Sequence, residues 1–180
     1  MQQLGFEDFQ ICVNKSAWQF RDDGSNYQQW LDLLDELDMK PNSIVIEITE
    51  NLLLDPTHAV KEKILAFQHA HMQVSLDDFG TGYCSVAFLK RFNIDYIKID
   101  PTFVSNLAGG ADGITLCSAI VAMAHKLNIK VIAEGIETRQ QMAALRLVGC
   151  DFGQGYFFSK PVLGPKLEKT MSWEVVAVDN

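Results

Sequence analysis

Six short apolar runs set the limits on what this chain can fold into: Gln10–Val13, Ser43–Ile48, Gln73–Leu76, Asp95–Ile99, Lys130–Ala133 and Gly155–Phe158. Each has the length and composition of a strand, and most are followed by a helical pattern. Asp55 as an N-cap and Pro56 in the first turn start one helix, whose Val60, Ile64, Phe67 and His71 recur at helical spacing. Ile114, Cys117, Val121 and Ala124 mark another. Asn26 to Leu37 predicts a third, with Trp30, Leu33, Leu34 and Leu37 on one face. Thr138 to Gln141 fits a capping box, and Gly149 can end the helix that carries Met142, Leu145 and Val148. Strands alternating with helices predict a parallel α/β architecture. Runs such as Ile44–Val45–Ile46 are continuously apolar, as expected of strands covered on both faces.

An open doubly wound sheet and a (β/α) barrel both satisfy this alternation. The polar residues at the strand ends favour the barrel. They recur on five or six successive strands, and only a barrel brings all those ends around one centre. An open sheet gathers ligands at a single switch point. A closed barrel needs eight strands, so the fold class predicted is α/β, a TIM-like (β/α) barrel that is incomplete, with one or two N-terminal βα units missing. Residues 1–180 read as one partial domain. After Pro161 comes a moderately amphipathic tail, in which Trp173 to Val178 could add a strand or a packing segment.

Composition narrows the function. The 180 residues are 48% hydrophobic and 21% charged, which suits one soluble domain with a sizeable core. A net charge of −8 argues against a DNA or RNA polymer as partner, since neutralising phosphates needs Lys and Arg. No apolar run reaches the ~18–20 residues that cross a bilayer, so no membrane contact is expected from the chain itself. The start, Met1 to Asp8, lacks the pattern of a signal peptide. A cytoplasmic protein is expected, unless upstream sequence supplies an inner-membrane anchor. Cys12, Cys84, Cys117 and Cys150 form no CxxC pair and read as reduced core or helix residues. His58, His69, His71 and His125 fall in helical segments and build no nucleophile motif.

The strand ends hold the candidate chemistry. Asp77 and Asp78 close the third run and lead into Phe79–Gly80–Thr81–Gly82–Tyr83. Adjacent strand residues point to opposite faces, but a backbone turning at the strand end can bring both into one cavity. Two such carboxylates repel unless a dication neutralises them, and the plain alternative is an Asx-turn. Glu47 lies inside an apolar run and needs a cation, an ion-pair partner or a wet cavity. Glu50 reads as a helix-entry acid. Lys98 is either a snorkelling core-edge lysine or a fixed cation facing developing negative charge. Glu134 ends its strand. Glu137 precedes the capping Thr138, and a structural role suits it as well as a catalytic one. Asn14 offers a hard-cation ligand or a turn residue, and Gln154 a hydrogen bond to site water or a polar loop residue.

Taken in order, Val13–Asn14–Lys15–Ser16–Ala17, Glu47–Ile48–Thr49–Glu50, Asp77 to Tyr83, Lys98–Ile99–Asp100, Ala133 to Glu137 and Gly155 to Pro161 resemble the motifs of EAL domains. The resemblance spans about 11–162, with 163–180 as a C-terminal tail. EAL domains are bacterial signalling phosphodiesterases that hydrolyse cyclic di-GMP to pGpG on a modified (β/α) barrel. The resemblance implies Mg²⁺ or Mn²⁺ in a two-metal site. It implies Asn14, Glu47, Asp77, Asp78 and Glu134 as metal ligands, with Lys98, Glu134 and Asp78 in the catalytic set. Lys98 matches the lysine that orients water and steadies charge at the phosphate. Glu50 matches the glutamate that holds the loop after Asp77, while Glu137 and Gln154 match supporting positions. A homodimer is an expectation of the same kind.

The Glu-Ala-Leu signature that names the family, and an arginine shortly after it, have no counterpart in Met1–Gln10. Cys84 stands where a serine is usual. The chain therefore reads as an N-terminally truncated member. The first expectation is metal-dependent hydrolysis of cyclic di-GMP. The alternative is a non-catalytic module that binds cyclic di-GMP or a protein. A Mg²⁺-dependent barrel of the enolase type would not explain the ordered motifs.

Overall fold

The computed structural model describes residues 9–21, 26–54, 58–82, 85–108, 111–164 and 166–167. Strands β1 (Ile11–Asn14), β2 (Ile44–Thr49), β3 (Gln73–Phe79), β4 (Tyr96–Ile99), β5 (Lys130–Ala133) and β6 (Phe152–Gly153) lie side by side in that order. Every neighbouring pair is parallel. The connections hold helices α1 (Ala17–Arg21), α2 (Asn26–Glu36), α3 (Glu50–Leu54), α4 (His58–His69), α5 (Val86–Arg91), α6 (Pro101–Ser105), α7 (Ala111–Lys126) and α8 (Arg139–Leu147). Contacts across the concave face show that the sheet curls. The Tyr96 hydroxyl on β4 lies 3.2 Å from Gln10 Oε1 beside β1. The described residues form a half-barrel of the TIM type, with six strands among them where the closed form has eight.

Strand alternation sorts the sequence onto two faces. Ile46, Ile48, Val74, Leu76, Ile97, Ile99, Val131 and Ala133 point outward and form one core with helix residues such as Ile64, Phe67, Leu89, Val121 and Leu145. The residues between them face inward and include Glu47, Ser75, Tyr96 and Lys98, all buried. Continuous apolar character, predicted from the runs, thus holds for the helix-covered face only. The concave face is mixed and polar.

Local signals account for most element ends. Thr138 caps α8 in a full capping box with Gln141, and Gly149 follows the helix at φ +84. Asp100 caps α6 by accepting from the Thr102 amide at 2.7 Å. Buried Lys15, just after β1, lies 5.6, 5.3 and 5.5 Å from the ring centres of Phe20, Trp30 and Phe67. That cation–π cluster ties β1 to α1, α2 and α4.

Four expectations change. The sixth strand is Phe152–Gly153, and Gly155–Phe158 forms a turn over Ile136. A Cβ on Gly155 would lie 2.1 Å from the Ile136 carbonyl oxygen, so the backbones pass too closely for a side chain. On α2 the buried stripe runs through Trp30, Leu31 and Leu34, while Leu33 and Leu37 are exposed. His71 lies beyond the end of α4 with φ +62. Cys12 is an exposed strand residue, whereas Cys117 and Cys150 are buried and half-buried as expected; all three are free thiols. Asp55, Pro56, Tyr83, Cys84 and the segment Trp173–Val178 lie outside the described residues.

Candidate functional site

The candidate residues gather at the C-terminal ends of the strands, on the concave face. Asn14 and Glu47 are register partners on β1 and β2. Lys98 extends from β4 to the centre of the group. Its Nζ lies 2.9 Å from Glu47 Oε1, 3.2 Å from Asp77 Oδ1 and 2.7 Å from Glu134 Oε1. Lys98 is therefore a fixed cation inside the barrel mouth, and the core-edge reading is excluded.

A β-bulge solves the problem of two adjacent aspartates. Leu76 pairs with Ile97 and Phe79 with Ile99, so β3 advances three residues while β4 advances two. The extra residue breaks the alternation. Asp78 takes φ +56, a left-handed conformation that Asp tolerates better than most residues. As a result Asp77, Asp78 and Glu134 each offer an oxygen, and these oxygens lie within 4.8 Å of one another. The chain also turns locally, but through the backbone: the Thr81 hydroxyl donates to the Asp78 carbonyl at 2.9 Å, whereas an Asx-turn would use an Asp side chain as acceptor.

The chain around the cluster is pinned. Glu50, buried at the start of α3, accepts from the Gly82 amide at 3.1 Å and so holds the loop after Asp78. Gly135 follows Glu134 at φ +68, and a Cβ there would come within 2.7 Å of Pro101 Cβ. Only glycine lets the chain turn away directly after Glu134. Gln154 follows β6, where its amide donates to the Ala133 carbonyl at 2.8 Å, and its side chain is exposed beside the end of β5. Glu137 is drawn into the helix start. Its amide donates to Gln141 Oε1 at 2.9 Å and its side chain is exposed. Of the supporting residues, Glu137 is thus tied to the helix cap.

Charge is unbalanced here. Three carboxylates, Glu47, Asp77 and Glu134, face one ammonium, which leaves two formal negative charges before Asp78 is counted. Burial works against a charged Lys98, but Glu134 and Glu47 outweigh it and hold the ammonium above the ordinary lysine range. Burial raises Glu134, as do Asp77 and Glu47, and Lys98 offsets this only in part. Asp78 is also raised, by burial and then by Asp77. Although Cys12 is exposed as a residue, desolvation of its thiol on the concave side and the neighbouring Glu47 carboxylate push that thiol up to about 12. The Glu47 Oε1 contact with Lys98 is one of charge, for that oxygen has no aligned hydrogen-bond donor.

These residues suit a hard divalent cation. All the donors are oxygens, the carboxylates are close enough to share an ion, and one cationic group already sits among them. The sequence reading missed one inward residue at this level, Ser75. It is fully buried two positions before Asp77. Its signal was a small polar side chain inside an apolar strand.

Comparison with known proteins identifies the family and fold to which this chain is similar. The family model described as "EAL domain" matches residues 1–161. The bifunctional diguanylate cyclase/cyclic di-GMP phosphodiesterase MucR of Pseudomonas aeruginosa is 35% identical over 166 residues, covering 91% of this chain and 24% of that protein. The cyclic di-GMP phosphodiesterase PdeR of Escherichia coli is 37% identical over 162 residues, covering 90% of this chain and 24% of that protein. The chain thus spans about a quarter of the length of these curated relatives. Among solved structures, the MucR phosphodiesterase in complex with c-di-GMP superposes with a TM-score of 0.83 at 33% identity, covering 92% of this chain and 67% of that one. Klebsiella pneumoniae BlrP1, in a manganese/cy-diGMP complex, gives a TM-score of 0.80 at 28% identity, covering 89% of this chain and 41% of that one.

Proposed function

The chain belongs to the EAL domain family, and from that premise we propose that it is a partial phosphodiesterase domain acting on cyclic di-GMP, with pGpG as product. The observation that carries this reading is the meeting of Glu47, Asp77 and Glu134 around Lys98 at the strand ends, with Asp78 turned into the same group. The manganese and c-di-GMP complexes of the structural relatives support it.

In this proposal Asn14, Glu47, Asp77, Asp78 and Glu134 hold Mg²⁺ or Mn²⁺ in a two-metal site. When bound, the dications supply Lewis-acid activation of water and neutralise the phosphate. The remaining work falls to the chain itself. Lys98 holds a permanent positive charge at the centre of the mouth, where it orients water and stabilises charge on the reacting phosphate. Glu134 and Asp78 border the same space and complete the catalytic set. Glu50 keeps the loop of Gly80 to Gly82 in place through the Gly82 amide. Gln154 supports the site from the neighbouring strand, and Glu137 supports it by anchoring the start of α8. The acidic chain accepts an anionic substrate because the ions carry the compensating charge. A cytoplasmic setting and a homodimer accompany this proposal.

The test is release of pGpG from cyclic di-GMP by the 180-residue chain, with and without divalent metal, with Glu47→Ala and Lys98→Ala as controls. Metal-dependent turnover that both variants abolish is the expected result. Tight ligand binding by calorimetry without turnover would replace hydrolysis by the binding-module reading. Neither binding nor turnover would refute both.

A further inference from the structure

The described residues contain two buried side-chain atoms without a hydrogen-bond partner, Glu47 Oε1 and Ser75 Oγ. Their placement makes them a complementary pair. Glu47 on β2 and Ser75 on β3 are direct register partners. Parallel register partners point to the same face and sit about 4.8 Å apart. Both side chains face the inside of the half-barrel, and Glu47 is 4% exposed and Ser75 0%. One atom is a carboxylate oxygen that the Lys98 ammonium holds by charge at 2.9 Å but that has no aligned donor. The other belongs to a hydroxyl, which can donate and finds nothing to donate to. A buried polar group left in this state carries a desolvation penalty unless another state of the protein uses it.

We infer that Ser75 is a positioning residue for Glu47, and the inference rests on the metal-site reading above. Its hydroxyl donates to one Glu47 oxygen, directly after a rotamer change or through one bridging water. The other oxygen is then presented to the ion beside Asn14 and Asp77. Carboxylates that ligate metals are themselves held by hydrogen bonds, and losing such a partner typically weakens metal affinity by ~10–100-fold. Lys98 already draws Glu47 toward the centre of the mouth by charge. Ser75 is placed to fix the orientation that charge alone leaves open. The residue sits one inward position before Asp77 on the same strand, so it acts through Glu47 from beneath the cluster.

The experiment is calorimetric titration of the full chain with Mn²⁺, alongside urea unfolding in EDTA. Ser75→Ala is expected to bind Mn²⁺ roughly tenfold more weakly. Its metal-free urea midpoint should stay equal to the parent's or rise, because an unpartnered buried hydroxyl is being removed. Glu47→Gln should weaken binding more, and adding Ser75→Ala to it should weaken binding no further. Parent-like Mn²⁺ affinity in Ser75→Ala would overturn the inference and leave the metal site standing. Additive losses in the double variant would also overturn it, since Ser75 would then act independently of Glu47. If the parent chain binds no Mn²⁺, or Glu47→Gln binds as the parent does, the metal-site reading falls and this inference falls with it.

Discussion

The two ends of the half-barrel use the same inward-facing columns of residues in opposite ways. At the N-terminal ends of the strands, Gln10, Gln73 and Tyr96 form a neutral network. The Tyr96 hydroxyl lies 3.2 Å from both amide oxygens, and Gln10 Nε2 donates to Gln73 Oε1. A cavity of about 460 Å³ opens there, bordered by Phe9, Ser43, Lys130 and Phe152 as well. At the C-terminal ends, four positions beyond Gln73 and two beyond Tyr96 on the same strands, Asp77 and Lys98 belong to a cluster with excess negative charge. The neutral network is satisfied within the protein. The acidic cluster is not, and a fold retains such a cost where binding or chemistry uses it. This matches the rule that barrel enzymes work at the C-terminal face and keep the other face for stability.

Lys98→Met tests the contrast most severely. It leaves buried Glu47 and the partly buried Asp77 and Glu134 without their shared cation, and about 3–5 kcal/mol of metal-free stability should be lost. Urea unfolding in EDTA measures this, and Mn²⁺ should restore part of the loss because it binds the folded state. An unchanged midpoint would mean that the ammonium does not compensate the carboxylates. In the neutral network, Tyr96→Phe removes one hydroxyl shared by two amides and should cost about 1 kcal/mol. Its Mn²⁺ affinity should equal the parent's. A change in that affinity would show that the two ends are coupled and would break the comparison.

The smallest effects concern pH, and here the signs oppose. Asp151, at the N-terminal end, accepts from the Val131 amide at 2.8 Å and pairs with His125 at 2.9 Å. Burial opposes its ionisation, but His125 and the Val131 amide prevail and lower its pKa. Its contribution is therefore present above the ordinary carboxylate value near 4 and fades as pH falls through the lowered folded value. Glu134 is raised instead, chiefly by burial. Its contribution favours folding at low pH and declines as pH rises from the ordinary value through the raised one. In EDTA, Asp151→Asn should therefore flatten the acid-side loss of stability, and Glu134→Gln should flatten the decline above it. Urea midpoints measured across pH 3 to 7, a range chosen around the ordinary carboxylate pKa, separate the two. Equal slopes in both variants and the parent would remove the distinction.

Much of this fold was legible because strands and helices leave periodic traces. Five of the six strands fall where the apolar runs predict them, and the cap at Thr138 reads directly from residue identities. The sixth strand was misplaced because Tyr156, Phe157 and Phe158 look like strand residues, while close passage against Ile136 turns that segment into a loop. On α2, Leu33 and Leu37 fit a helical stripe, but the neighbouring helices select Trp30, Leu31 and Leu34 for burial. At the site, the acidic residues were visible as strand-end outliers. Ser75 showed only as a small polar residue in an apolar strand, because its interest lies in which residue stands beside it across the strands.

The sequence by itself determined the parallel βα order, the acidic residues at the strand ends and the lysine among them. These follow from local periodicity and from the cost of placing charge in apolar runs. Tertiary structure alone decided that Lys98 meets Glu47, Asp77 and Glu134 together, since that contact joins three other strands through the curl of the sheet. It also decided how Asp77 and Asp78 both reach one group. Strand alternation sends adjacent side chains apart, and only the bulge against β4 brings them back.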